Sequence, residues 1–294
     1  SGEGVPIKPI PNPDEKALRW NWDAPLLISP HDNKTLYFAA NKVFKSTDRG
    51  NSWESISGDL TRKIDRNRLP LMDKVWSIDA IGKNGSTTIY GNIVALNESN
   101  LQKGLLYVGT DDGLIQISEN DGKSWEKIEK FPFVPNKTYV NDIKSSLHQN
   151  NVVYAAFNNH KNGDFKPYVL MSKNKGKTWS NISGNLPDRG SVYSIAEDHI
   201  NPLLLFAGTE FGIYFTTNGG EKWEKFGSGL PTVAVRDIEI QRRENDLVLA
   251  TFGRGFYIMD DYSPLREFSD ENLEKKVYAF KTKPGLVYNQ ASPI

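Results

Sequence analysis

Three carboxylates in this chain have the residue type and setting for acid-base chemistry. Asp111 and Asp112 follow the apolar segment GLLYVGT, and Glu210 follows the similar segment LLFAGT. A glycoside hydrolase needs two carboxylates about 5–10 Å apart, one of them with a raised pKa. All three residues are therefore candidates for a general acid or base, although Asp-Asp-Gly is also a favourable tight turn.

Other side chains are candidates for binding a ligand. Arg189 and Arg254 could pair with an anionic group, and Trp76 could stack on a sugar ring or a peptide side chain. His160, in the loop NNHKNGDF, is the fourth candidate, but one histidine does not make a metal site, so we expect no metal. Each of these residues could equally hold its own loop in place. The other histidines, at one repeat position, are interpreted as turn residues: His31, His148 and His199.

A serine two residues before an aspartate, in STDRGNSW, could also belong to a hydrolase. The pattern recurs as SENDGKSW, SKNKGKTW and TTNGGEKW, and asparagine replaces the aspartate in the later copies. Turn chemistry tolerates this exchange because asparagine supplies the same oxygen acceptor, and the glycine can adopt a positive φ. We therefore interpret these four segments, the turn boxes, as hairpin turns. Their predicted structural residues are Ser46, Asp48, Gly50, Trp53, Ser118, Asn120, Gly122, Trp125, Ser172, Asn174, Gly176, Trp179, Asn218, Gly220 and Trp223.

Composition excludes several classes of protein. The chain has 294 residues, with 36 basic and 36 acidic side chains and no cysteine. This charge balance does not fit a nucleic-acid binder or a polybasic membrane binder. No apolar run approaches the roughly 18 residues that cross a bilayer, and without cysteines there are no disulfides or thiolate metal sites. No cofactor is implied.

A second repeat lies in the apolar segments before each turn box. Tyr37, Tyr107, Tyr154, Phe206 and Leu249 align in one column of these segments. A unit of about 43 residues with insertions matches the period of four-stranded propeller blades. The sequence therefore predicts an all-β protein, a β-propeller with four-stranded antiparallel blades. Five blades are visible, as part of a larger or tandem propeller. The first strand of each blade is predicted at residues 26–29, 93–98, 140–145, 192–197 and 235–240.

The pattern S-x-D-x-G-x-[ST]-W resembles the Asp-box, or BNR repeat, of sialidases, xyloglucanases, sortilin and photosystem II assembly factors. Longer segments, such as KSTDRGNSWESISGDLTR and ATFGRGFYIMDDYSPL, resemble bacterial proteins, often from Bacteroidetes, labelled sortilin-like or glycosyl-hydrolase-like repeat proteins. This resemblance runs from Leu18 to Leu265. It implies that the box is a fold element, that the protein is exported to the cell surface, periplasm or medium, and that the whole polypeptide is larger.

The predicted organisation has three parts. Residues 1–17 are a linker or extended segment, residues 18–265 are the propeller, and residues 266–294 are a C-terminal extension or a closing strand. The fifth blade has no turn box. Either Val277–Phe280 or the N-terminal segment completes it, or further blades are missing. A weak helical pattern lies near Asp270–Lys276.

Alternation of strands A to D divides the loops between two faces. The A–B and C–D turns share one face, the turn face, and the B–C and D–A connections share the other, the loop face. The loop face receives an insertion between Asp59 and Thr88, and irregular loops on a rigid scaffold often carry function. We expect a non-catalytic domain that binds protein or peptide there, with glycan as a further candidate ligand. The alternatives are a glycoside hydrolase, xyloglucanase-like rather than sialidase-like because the sialidase Arg-Ile-Pro motif is absent, and a spacer for another domain.

Overall fold

Five antiparallel sheets follow one another along the chain and form the blades of a β-propeller. The computed structural model describes residues 4, 6–11, 13–70, 72–83, 90–227, 229–281 and 283–285. Within them, four sheets have four strands each and the last has three. The predicted fold class is therefore confirmed, including the fifth blade that lacks its outer strand.

Each blade runs from its inner strand A to its outer strand D. Blade 1 contains β1 (Leu26–Ile28), β2 (Leu36–Ala39), β3 (Val43–Ser46) and β4 (Glu54–Ser55). Blade 2 contains β5 (Ile93–Glu98), β6 (Leu106–Thr110), β7 (Ile115–Ser118) and β8 (Glu126–Ile128). Blade 3 contains β9 (Tyr139–Ser145), β10 (Val153–Asn158), β11 (Tyr168–Ser172) and β12 (Ser180–Asn181). Blade 4 contains β13 (Val192–Glu197), β14 (Leu205–Thr209), β15 (Gly212–Thr216) and β16 (Glu224–Lys225). Blade 5 contains β17 (Val235–Gln241), β18 (Asp246–Thr251) and β19 (Phe256–Met259).

Little else is regular in the described chain. Short 3₁₀ turns lie at Arg66–Arg68, His160–Asn162 and Ser263–Glu267, and one short helix, α1, spans Asp270–Leu273. In the described part of the C-terminal segment, Val277–Phe280 is not in a strand. The last part of the predicted insertion, up to Thr88, lies outside the described residues.

The strand register corrects one alignment. Phe206 of β14 pairs with Phe215 of β15, and the equivalent pair in blade 5 is Val248 with Ile258. The prediction that Leu249 stands in this column is therefore wrong by one residue. The reason is that Leu247–Leu249 is apolar at every position, so alternation does not tell the two faces of the strand apart.

The core lies between the blades. Four buried apolar clusters each join one blade to the next, so the clusters account for the four junctions within blades 1 to 5. Ile213 and Phe215, which face blade 5, are almost fully buried. Their counterparts in β19, Phe256 and Ile258, are 76% and 62% exposed. The described residues thus leave the far face of blade 5 open.

Contacts between neighbouring blades confirm the turn face. The His31 ring nitrogen Nε2 lies 2.7 Å from the Ser99 carbonyl oxygen, and His148 Nε2 lies 2.8 Å from the Asp198 carbonyl oxygen. These histidines therefore link successive A–B turns. Lys175, in a turn box, forms an ion pair with Glu119 of the preceding box, with 2.7 Å between Nζ and Oε2.

One hydrogen-bond network recurs in all four turn boxes. In the first, Ser46 Oγ accepts the Gly50 N–H at 2.8 Å, and Asp48 Oδ1 accepts the Ser52 N–H at 2.9 Å. The boxes that begin at Ser118, Ser172 and Thr216 repeat both bonds. The box glycine has a positive φ each time, 88° at Gly50. Asparagine and aspartate thus accept the same backbone hydrogen bond in the turn.

Tryptophans of three boxes donate a hydrogen bond to the chain before their blade, whereas the Trp179 indole N–H has no partner in the described structure. Trp125 Nε1 donates to the Ile56 carbonyl at 3.2 Å, and Trp223 Nε1 donates to the Ile182 carbonyl at 2.8 Å. Trp53 Nε1 donates to the Ile7 carbonyl at 2.6 Å. Part of the N-terminal segment therefore lies against blade 1 in the place that the end of a strand D takes elsewhere.

Candidate functional site

Loops of blades 3, 4 and 5 enclose a cavity of about 750 Å³ on the loop face. Charges of both signs and several aromatic rings line it. The charged lining is formed by Asp164, Lys166, Asp188, Arg189, Glu210 and Arg236. The aromatic lining is formed by Phe165, Tyr193 and Phe211.

Two of the lining residues, Arg236 and Tyr193, form a stacked pair. Arg236, from strand β17, places its guanidinium 3.8 Å from the ring centroid of Tyr193 and 5.2 Å from that of Phe252. The Tyr193 hydroxyl donates to the Glu210 carboxylate. Burial raises the pKa of Tyr193 to about 12, so the hydroxyl stays a donor at neutral pH. Stacking orients the Arg236 plane and leaves its N–H groups for a ligand.

His160 lies between this cavity and a second opening, which is the mouth of the central channel of the propeller. Its Nδ1 is 2.6 Å from the Asn158 side-chain oxygen. Burial, followed by the charges of Lys161 and Arg236, lowers the pKa of His160, so the imidazole is neutral at pH 7. Within the described residues, no group of three or more His, Asp or Glu side chains could hold a metal ion.

The mouth of the channel adjoins the cavity. It is a second opening of about 730 Å³ that shares His160, Tyr193 and Arg236 with the first. Trp22, almost fully exposed, and Phe252 line it as well. The two openings therefore form one continuous recess with aromatic walls.

Asp111 is buried in its own loop and does not line the cavity. Its Oδ1 accepts the N–H groups of Gly91 and Asn92 at 3.0 and 2.8 Å, and its Oδ2 accepts the Asn92 side-chain amide at 2.9 Å. Burial raises the pKa of Asp111 to about 6. The carboxyl thus fixes the two residues that precede strand β5.

Asp112 fastens the insertion to blade 2. Its carboxylate accepts hydrogen bonds from the Thr110 hydroxyl at 2.6 Å and from the backbone N–H of Arg62 at 2.8 Å. The Arg62 guanidinium donates to the carbonyls of Asp112 and Gly113. Burial raises the pKa of Asp112 despite these bonds. The carboxylates of Asp111 and Asp112 therefore both accept hydrogen bonds from their own and neighbouring loops.

The structure brings three of the candidate residues together and separates the rest. Glu210, Arg189 and His160 line the same cavity. Arg254 is exposed in the β18–β19 turn and does not line it. Trp76 lies in the insertion, where Lys74 Nζ is 4.6 Å from its ring centroid, and it does not line the cavity either.

Arg236 and Tyr193 line the cavity but were not among the predicted site residues, and the same holds for Asp164, Phe165, Lys166, Asp188 and Phe211. Arg236 and Tyr193 are each the second residue of their strand A, and the equivalent residues Val94 and Asn141 also line the channel mouth. The repeat therefore contained a signal: one position of strand A in blades 2 to 5 lines the same recess.

Comparisons with known proteins bear on the fold. No family model matches the chain, and no curated protein matches it. Among solved structures, the chain is similar to an ancestral GH74 enzyme, with 19% identity and a TM-score of 0.59 over 81% of this chain and 28% of that one. It is similar to the GH74 xyloglucanase from Xanthomonas campestris, with 16% identity and a TM-score of 0.57 over 83% and 37%. An extracellular domain from B. thetaiotaomicron matches with 15% identity and a TM-score of 0.51 over 85% and 28%.

These similarities extend over only part of the matched proteins. The chain spans between 28% and 37% of the length of the three structures. None of the helices in the described residues has the length and apolar character to span a membrane. At such identities, the comparisons establish a β-propeller whose relatives in fold include enzymes and extracellular domains.

Proposed function

We propose that this chain is a non-catalytic β-propeller domain of a larger exported bacterial protein and that it binds protein or peptide through its loop face. The observation that carries the proposal is the group of exposed aromatic side chains around the recess. Trp22, Phe165, Phe211 and Phe252 all lie there, each between 46% and 97% exposed. Clustered exposed apolar groups mark interaction sites on soluble proteins.

The chemistry of the recess fits a protein partner. Protein interfaces are enriched in aromatic residues and arginine, and Arg236 stacked on Tyr193 supplies both. Glu210, Asp164 and Arg189 add charges of both signs, which suits the mixed side chains of a peptide. No single sign of charge dominates the lining.

Family resemblance supports the rest of the proposal. The turn boxes are Asp-box elements in this interpretation, and the sortilin-like resemblance favours binding over catalysis. The similarity to an extracellular domain favours export. The boxes themselves lie on the turn face and contribute the fold.

The direct test is selection of binding peptides on the intact chain from a random peptide display library. Affinities of the selected peptides are then measured by calorimetry for wild type, Phe211→Ala and the matched control Leu203→Ala. Leu203 is exposed on the turn face. We expect Phe211→Ala to weaken binding at least about tenfold and Leu203→Ala to leave it unchanged. Selected peptides that are insensitive to Phe211→Ala, or no selected peptides at all, would contradict the proposal.

A glycoside hydrolase, xyloglucanase-like rather than sialidase-like, is the second candidate function. Two of the solved structures above are GH74 enzymes, and Glu210, Asp164 and Asp188 share one cavity. Burial raises the pKa of Asp164, but hydrogen bonds from Asn159 and Tyr168 outweigh this, and the net shift is downward. A general acid needs the opposite shift, which is why we favour binding.

Hydrolysis of xyloglucan and related glycans by the purified chain separates the two functions. Glu210→Gln removes the carboxylate, while the matched variant Tyr193→Phe breaks the Tyr193–Glu210 hydrogen bond and keeps the carboxylate. Turnover that Glu210→Gln abolishes and Tyr193→Phe retains would make the protein an enzyme and overturn the non-catalytic proposal. We expect no turnover in any of the three proteins.

A further inference from the structure

An apolar cavity of about 270 Å³ lies at the junction of blades 4 and 5, near the outer rim of the propeller. Its walls belong to strands β15, β18 and β19 and to the segment after β16. They are formed chiefly by Ile213, Phe226, Leu230, Leu247, Tyr257 and Met259. The cavity has room for a large aromatic side chain.

At the junction of blades 3 and 4, a tryptophan fills the corresponding place. Trp223 is 2% exposed and belongs to the same buried cluster as Val169, Ile182 and Leu186. Its Nε1 donates to the Ile182 carbonyl at 2.8 Å. This tryptophan immediately precedes strand D, β16, of its own blade.

The walls of the cavity repeat the surroundings of Trp223 one blade later. Ile213 is the counterpart of Val169, because both stand three residues before the first residue of a turn box. Phe226 is the counterpart of Ile182: the Phe226 N–H donates to the Ile213 carbonyl at 3.1 Å, and the Ile182 N–H donates to the Val169 carbonyl at 2.9 Å. The cavity is therefore a tryptophan seat that blade 5 leaves empty.

Strand β19 is open beside this seat. It is the outermost strand of its sheet in the described residues, whereas the matching strand β15 pairs with β16. No tryptophan follows Trp223 among the 294 residues, so none of these residues can place an indole in the seat from beyond β19. An edge strand next to an apolar pocket is the arrangement that captures an extended peptide by strand addition.

We infer that blade 5 binds an extended polypeptide segment that carries a tryptophan. The segment pairs antiparallel with β19 through its backbone, its indole enters the seat, and the indole N–H donates to the Phe226 carbonyl. Backbone pairing gives general affinity, and the seat selects the aromatic residue. This site stands on the outer rim, independently of the recess on the loop face.

The probe is a synthetic peptide with the sequence of residues 217–227, TNGGEKWEKFG, labelled at its N-terminus. Binding to the intact chain is measured by fluorescence anisotropy. The matched peptide TNGGEKSEKFG lacks only the indole. We expect the tryptophan peptide to bind and the serine peptide to bind at least about 30-fold more weakly. No binding of the tryptophan peptide, or equal binding of both, would overturn the inference.

Variants and mapping locate the site. Met259→Trp fills the seat from within the chain and is expected to weaken binding at least about 30-fold, whereas Leu203→Trp, on the turn face, is expected to leave it unchanged. Amide NMR shifts on the unmodified chain should centre on Tyr257 and Ile258, which decides the question even if Met259→Trp does not fold. Shifts centred elsewhere, or sedimentation of the free chain as a dimer paired through β19, would contradict the assignment.

Discussion

Two tyrosines at one repeat position differ in their hydrogen bonding across the blade junction. The Tyr154 hydroxyl donates to Glu197 Oε1 at 2.9 Å, at the end of the next strand A. The Tyr107 hydroxyl is buried and has no hydrogen-bond partner in the described structure. The reason is that strand A of blade 3 ends in Ser145, where those of blades 2 and 4 end in Glu98 and Glu197.

We therefore expect opposite results from the same substitution. Tyr154→Phe should lower the free energy of unfolding by about 1–2 kcal/mol, because the buried Glu197 carboxylate loses one of its three donors and keeps only the Ser146 hydroxyl and the Leu147 N–H. Tyr107→Phe should leave it unchanged or raise it slightly, because it removes an unpaired buried hydroxyl. Urea unfolding of both variants checks this. A loss of equal size in both would mean that Tyr107 has a partner after all.

The buried carboxyl of Asp111 should make stability depend on pH. Its pKa of about 6 lies above the ordinary value of 3.8, so the native state holds this proton more tightly than the unfolded state does. The resulting stabilisation is complete below about pH 4 and is lost as the pH rises through about 6. Its size is about 3 kcal/mol.

Asp111→Asn removes the titration and keeps an oxygen acceptor for the loop. The variant should gain stability relative to wild type by about 2–3 kcal/mol between pH 4 and pH 7. Urea unfolding of both proteins across this range gives the difference. A difference that stays constant with pH would show that Asp111 does not carry the raised pKa.

At the scale of elements, the turn boxes explain why aspartate and asparagine exchange freely. Asn174 Oδ1 accepts the Thr178 N–H at 2.8 Å, and Asn174 Nδ2 donates to Thr178 Oγ1 at 2.8 Å. In the first box, the Ser52 hydroxyl turns round and donates to Asp48 instead. A rotating hydroxyl thus adapts to either side chain.

Substitution of Asn174 tests this interpretation. Asn174→Ala should cost about 1–2 kcal/mol of unfolding free energy, because the Thr178 N–H loses its acceptor. Asn174→Asp should stay within about 0.5 kcal/mol of wild type, since the acceptor remains. Thermal and urea unfolding measure both. Equal losses would show that the amide group itself is needed.

Sequence patterns predicted the elements better than the site. Strands recur with their box and apolar segment, so β5 and β13 begin and end where the repeat placed them. The predicted alignment was wrong at Leu249, because the neighbouring residues are all apolar and show no alternation of polar and apolar side chains. Arg236 and Tyr193 meet only because successive blades curve round one axis, and no local pattern encodes that curvature.

For the whole molecule, the open face of blade 5 means that two isoleucines on the same face of strand C in successive blades differ in burial. Ile213 faces blade 5 and is 2% exposed, and Ile258, also on strand C, is 62% exposed. Ile213→Ala should cost about 3 kcal/mol, while Ile258→Ala should cost less than about 1 kcal/mol. Urea unfolding compares them. A large loss for Ile258→Ala would show that further chain covers blade 5 in solution.

The contact between Ile7 and blade 1 has an evolutionary consequence. Ile7 packs beside Gly50 and accepts the Trp53 indole bond, as Ile56 does beside Gly122 for Trp125. Three of the four boxes thus combine one aliphatic side chain, one carbonyl and one tryptophan in the same way, and the box of Trp179 dispenses with the carbonyl bond in the described structure. Because these contacts are local, duplication or loss of a gene segment can change the number of blades without coordinated mutations elsewhere in the ring.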